Sequence, residues 1–97
     1  MGFWSRLFPV WQSSWRISLA GRSRLIHVEW DTALSGGGRI DVDGVPLVRW
    51  RVGIKGLATA RAFTVDGARC EIRKGPRTWG EKQLDLFVDG IREAALP

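Results

Sequence analysis

The tripeptide Val-Asp-Gly occurs three times, at Val42-Asp43-Gly44, Val65-Asp66-Gly67 and Val88-Asp89-Gly90, each copy 23 residues from the last. Asp-Gly between alternating apolar runs is a strong local hairpin signal. A two-residue type I′ turn needs φ > 0 at both central positions, and Asp and Gly tolerate that better than other residues. Three such turns at even spacing predict an antiparallel meander. They constrain the fold and leave the chemistry open.

The flanking runs supply the strands. Over Trp15–Leu19, Trp15, Ile17 and Leu19 share one face while Arg16 and Ser18 share the other, the period of a half-buried strand. Gly21-Arg22-Ser23 is read as the turn that follows. Leu25–Trp30 places Ile26, Val28 and Trp30 inward and His27 and Glu29 outward. Leu34–Gly38 is glycine-rich but leads into the strand Ile40–Val42. A phosphate cradle leads into a helix N-terminus and in the P-loop adds a Lys and a Ser or Thr. This stretch is therefore read as a connector.

Val45–Val52 carries Val48, Trp50 and Val52 inward and Arg49 and Arg51 outward, with Pro46 suited to an edge or a first position. Ala60–Val65 turns at Asp66-Gly67 into Ala68–Lys74, where Ala68, Cys70 and Ile72 face in and Arg69, Glu71 and Arg73 face out. Trp79 lies in the loop 75–80. Glu81–Val88 points Leu84, Leu86 and Val88 inward, and a short last strand starts at Ile91. Seven to eight short strands without a long helix predict an all-β protein, an antiparallel β-sandwich or an open barrel, over 15–97, and the sandwich is preferred. Residues 1–14 read as an aromatic arm.

Ninety-seven residues suffice for one domain and one modest core, which six tryptophans can fill. The net charge is +5, and twelve of the fifteen cations are Arg. That bias fits recognition of acidic partners, and equally codon usage in a GC-rich genome. A single cysteine, Cys70, excludes an internal disulfide and a multi-cysteine metal site, and is expected as a small buried hydrophobe. The lone His27 has no second His or Cys near it in sequence, so neither a metal nor a cofactor is expected. Arg6, Pro9, Gln12 and Arg16 interrupt any secretory h-region, and no apolar run reaches membrane-spanning length. The expected location is cytoplasmic. In the arm, Phe3, Trp4, Leu7 and Phe8 share one side of a helical turn that Pro9 ends. This reads either as a membrane contact or as a segment that covers the sandwich, and the covering role is expected.

The run Trp15-x-Ile17-x-Leu19, Val28-Glu29-Trp30, Ser35-Gly36 and Arg39-x-x-Val42-Asp43-Gly44 resembles the opening of the Fas apoptotic inhibitory molecule (FAIM) domain. Phe63-x-Val65, Cys70-x-Ile72 and Leu86-x-Val88-Asp89 resemble its second half. The resemblance spans about 15–93 and implies a β-sandwich without an active site. The animal proteins carry two such sandwiches, and a His that often follows their Glu-aromatic strand is Asp31 or Thr32 here. The resemblance implies roles in protein interaction and protection against aggregation.

Three functions are then weighed. The preferred one is a non-catalytic, monomeric protein-interaction or proteostasis module whose candidate surface is Arg16, Arg49, Arg51, Arg69, Arg73 and Trp79. The alternative is a basic face that binds nucleic acid or an anionic membrane, with tryptophans stacking on bases. Glu29, Asp41, Glu71 and Asp85 also point outward and dilute such a face. An enzyme is not expected, because no carboxylate pair stands in a recognisable motif.

Overall fold

Four two-residue turns organise the chain. Asp43-Gly44, Asp66-Gly67 and Asp89-Gly90 take positive φ at both positions, +52° and +79° at the first of them, as type I′ turns require. A fourth turn, Ala20-Gly21, has the same geometry (φ +50° and +76°) and sits 23 residues before the first Val-Asp-Gly. The repeat is therefore fourfold. Its first copy ends in Leu19-Ala20-Gly21, which replaces the turn expected at Gly21-Arg22-Ser23.

The computed structural model describes residues 10–31, 37–50, 60–74 and 84–97. Among these residues eight strands are formed: β1 (Val10–Leu19), β2 (Arg22–Asp31), β3 (Gly38–Val42), β4 (Val45–Trp50), β5 (Ala60–Val65), β6 (Ala68–Lys74), β7 (Leu84–Val88) and β8 (Ile91–Glu93). They make two antiparallel four-stranded meanders, β1-β2-β3-β4 and β5-β6-β7-β8. Pro46 lies in β4, an edge strand, where a missing N–H costs no ladder bond. Next to it the β3–β4 register slips between Ile40 and Asp41, leaving Leu47 as an extra residue.

The sheets face each other across one core. Trp15, Trp30, Ile26, Val28 and Ile40 from the first sheet, and Cys70, Ile72 and Leu86 from the second, are fully buried. The expected core members Val42, Val48 and Trp50 pack against this cluster but are only partly buried. The Trp50 ring meets Trp30 edge-on, with centroids 5.2 Å apart. It lies over Gly38, where a Cβ would come within 2.5 Å of both the Trp50 ring and the Glu29 carbonyl. Gly38 thus belongs to β3, and its glycine makes room for an aromatic ring.

β1 starts at Val10, five residues before the expected Trp15, and Trp11 is buried in the core. Residues 10–14 are therefore part of the sheet, not of an arm. The expected contacts of Phe3, Trp4, Leu7 and Phe8 lie outside the described residues, as do residues 34–36 of the glycine-rich stretch. At the far end of the chain, the Leu96 N–H donates to the Ser14 carbonyl at 2.8 Å. The tail thus crosses from β8 to the outer edge of β1.

Nothing lies within 4 Å of a Cβ built on Gly67, so its substitution is opposed by φ alone. Gly67→Val should lower stability by about 1–3 kcal/mol in urea unfolding, because a β-branched residue resists the left-handed region. Ala20→Asn should raise it by up to about 1 kcal/mol, since Asn tolerates that conformation better than Ala. Trp15→Ala, which empties a fully buried site, should cost about 3–5 kcal/mol in the same assay.

Candidate interaction surface

Strand alternation sends Leu84, Leu86 and Val88 into the core and leaves Phe87 on the outer face of the β5–β8 sheet. Cross-strand pairing sets Glu71 beside Phe87, Arg92 on its other side, and Arg73 opposite Asp85. The Arg73 guanidinium lies 4.3 Å from the Phe87 ring centroid and also pairs with Glu71. Arg92 reaches Asp85 at 3.1 Å. Arg69, Glu71, Arg73, Phe87, Asp89 and Gly90 line an open depression of about 410 Å³. The Arg69 backbone N–H donates to Asp89 Oδ1 at 3.1 Å, while its guanidinium is without an ion-pair partner among the described residues.

The outer face of the β1–β4 sheet holds a different network. Ser14 Oγ and His27 Nδ1 share a 2.6 Å hydrogen bond, and His27 Nε2 lies 3.5 Å from Glu29 Oε1. Arg39 stands between Glu29 and Asp41, 3.4 Å from each. Asp41 points outward as expected but is only 8% exposed under these neighbours. Ser14, His27 and Glu29 all sit on the outer face of the first sheet, Ser14 on edge strand β1 and His27 and Glu29 on central strand β2. The network orders side chains on a flat face. Among the described residues, no three of His, Cys, Asp and Glu are grouped to hold a metal ion.

The candidate residues divide between these faces. Arg69 and Arg73 come together beside Phe87. Arg16 and Arg49 are exposed on the opposite sheet, where Arg16 donates to Ser23 Oγ at 3.2 Å. Arg51 and Trp79 lie outside the described residues. The single basic face that would join β1, β4 and β6 is therefore not formed, because the outer faces of a sandwich point in opposite directions. Phe87 was legible as soon as its neighbours were placed inward.

Two further arginines sit at inward register positions. Arg24, paired with Ile17, reaches across to the other sheet. Its Nε donates to Asp66 Oδ2 at 2.8 Å and its Nη2 to Asp66 Oδ1 at 3.1 Å, while Nη1 donates to Asp43 Oδ2 at 2.9 Å. Asp43 Oδ1 also accepts the Leu25 N–H at 2.9 Å. From the other sheet, the Arg61 guanidinium lies 5.1 Å from the Trp50 ring. Each sheet thus sends one cation into the other. Cys70 is buried as expected, and burial raises its thiol above the usual range, which keeps it protonated and unreactive.

Comparison with family models, with characterised proteins and with solved structures finds no match to this chain. Among the described residues, no helix is long and apolar enough to cross a membrane.

The Arg24 clamp predicts an acid limb. The Leu25 N–H and Arg24 hold the Asp43 carboxyl below its ordinary value of 3.8, and Arg24 does the same for Asp66. Folded-state values below the unfolded ones mean that this stabilisation is complete above about pH 4. It is lost as pH falls further, through the folded-state values. Arg24→Gln should lower the melting temperature at pH 7 and show a shallower loss below about pH 4 than the wild type. Equal acid slopes in calorimetry would remove the clamp from the account.

Proposed function

We propose that the chain is a non-catalytic, monomeric β-sandwich module that binds protein partners. Its contact surface on this reading is the outer face of the β5–β8 sheet. The observation that carries this is the Phe87 platform: an aromatic ring on an outer sheet face, overlaid by Arg73 and bordered by the Arg69 guanidinium, which has no ion-pair partner among the described residues. Aromatic and arginine side chains are the commonest anchors of protein interfaces. The FAIM-like motifs favour the same class and suggest a proteostasis role in the cytoplasm.

The pairing of charges speaks against the nucleic-acid and anionic-membrane alternative. Arg24, Arg39, Arg73 and Arg92 each sit on carboxylates of the same chain. Among the described residues, the exposed arginines without an ion pair are divided between the sheets, Arg16, Arg22 and Arg49 on one and Arg69 on the other. A phosphate backbone needs several free cations along one track.

The reading is tested by light scattering of reduced insulin as an aggregating client. The wild-type chain should suppress the scattering, and Phe87→Ala combined with Arg69→Ala should lose most of that effect while keeping the melting temperature. Salt-sensitive binding to mixed single-stranded DNA, with no suppression of client aggregation, would overturn it.

A further inference from the structure

The β1–β2 hairpin determines which backbone groups of β1 are free. Residues that flank a two-residue turn exchange both backbone hydrogen bonds, and such pairs recur at every second position. The register Leu19↔Arg22, Ile17↔Arg24, Trp15↔Ile26 and Ser13↔Val28 therefore commits the odd-numbered residues to β2. The N–H and C=O groups of Gln12, Ser14, Arg16 and Ser18 point away from the sheet. The Leu96 N–H on the Ser14 carbonyl lies on that side, as the geometry requires. Among the described residues, no other backbone group bonds there.

The remaining edges differ. Pro46 and the bulge at Leu47 interrupt β4, and β8 has three residues. β5 is shorter than β1, and no described segment is seated on it. β1 is ten residues long, and one of its outward groups, the Ser14 carbonyl, already accepts a hydrogen bond from the tail. The tail and the strand it leaves keep Leu96 and Ile91 exposed, at 44% and 68%. On the other side of the edge, Arg16 is exposed.

We propose that the β1 edge accepts an extended peptide as an added strand, one in which apolar residues alternate with acidic ones. Main-chain bonds to Gln12, Ser14, Arg16 and Ser18 hold it in register, with the Leu96 N–H displaced from the Ser14 carbonyl. Its apolar side chains meet the rim of Leu96 and Ile91, and its carboxylates meet Arg16 in a chain of net charge +5. The proposal rests on the protein-binding reading, but it uses a surface separate from the Phe87 face.

The test uses the intact chain and a soluble peptide of about eight residues, valine alternating with glutamate. In amide hydrogen exchange the free chain should show fast exchange at Gln12, Ser14, Arg16 and Ser18 and slow exchange at Trp15 and Ile17. Added peptide should protect the first group. Arg16→Pro removes an outward N–H without touching the ladder to β2, so it should weaken the peptide about tenfold relative to Arg16→Gln. Retained protection at Trp15 and Ile17 checks that this variant folds, and if it does not, wild-type exchange decides. Phe87→Ala should leave peptide affinity unchanged, which separates this edge from the sheet face. The proposal is overturned if added peptide leaves the four amides exchanging fast. It is also overturned if a peptide of the same composition in valine and glutamate blocks binds equally, or if Arg16→Pro and Arg16→Gln bind alike.

Discussion

Arg24 holds two hairpin turns at once, and much of the assembly depends on it. Each sheet is complete in its own hydrogen bonds, so the two meet through side chains and the single backbone bond at Ser14 among the described residues. Apolar burial draws the sheets together but is not directional. The bidentate contact to Asp66 adds direction, and the further bond to Asp43 ties the β3–β4 turn to the same cation. It also establishes that these turns lie at one end of the sandwich. The Asp89 N–H, donated to the Arg69 carbonyl at 2.7 Å, brings the last turn to that end as well. The C-terminal ends of β2, β4 and β6 then lie at the opposite end.

The strands and nearly all of the core were legible because the signals were local: Asp-Gly turns and period-two alternation. What escaped has identifiable causes. Ser13 pairs with Val28 at an inward position, so the alternation appears to stop there, and the start of β1 at Val10 is hidden. Ala20 hides the fourth turn, since Ala rarely adopts positive φ. Gly38 reads as loop until the Trp50 ring is seen to occupy its missing side chain. Arg24 and Arg61 sit near strand ends, where a charge at an inward position looks like the surface. Only the other sheet reveals what each one meets.

The candidate surface was legible by halves. Alternation alone sends Arg16, Arg49, Arg69 and Arg73 outward, and they are exposed. Alternation cannot say which sheet each strand joins, and this decides whether four cations form one face. The division into β1–β4 and β5–β8 leaves two of them on each side. Mutual pairing then neutralises others, so among the described residues the arginines are not gathered into one basic track.

A fourfold repeat raises the question of why the first sheet packs on the second and not on its own likeness in another chain. The answer lies where the copies differ. Counting from the turn glycines, Asp66 in the second sheet corresponds to Ala20 in the first, and Cys70 corresponds to Arg24. Two first sheets face to face would bring Arg24 against Ala20, with no carboxylate from the partner sheet to receive it. Two second sheets would set Asp66 against the buried thiol of Cys70, leaving its carboxylate without a cation. Only the unlike pair puts guanidinium on carboxylate. Turns of the same geometry frame both halves, and two residue differences within that pattern make each half complementary to the other and poorly matched to itself.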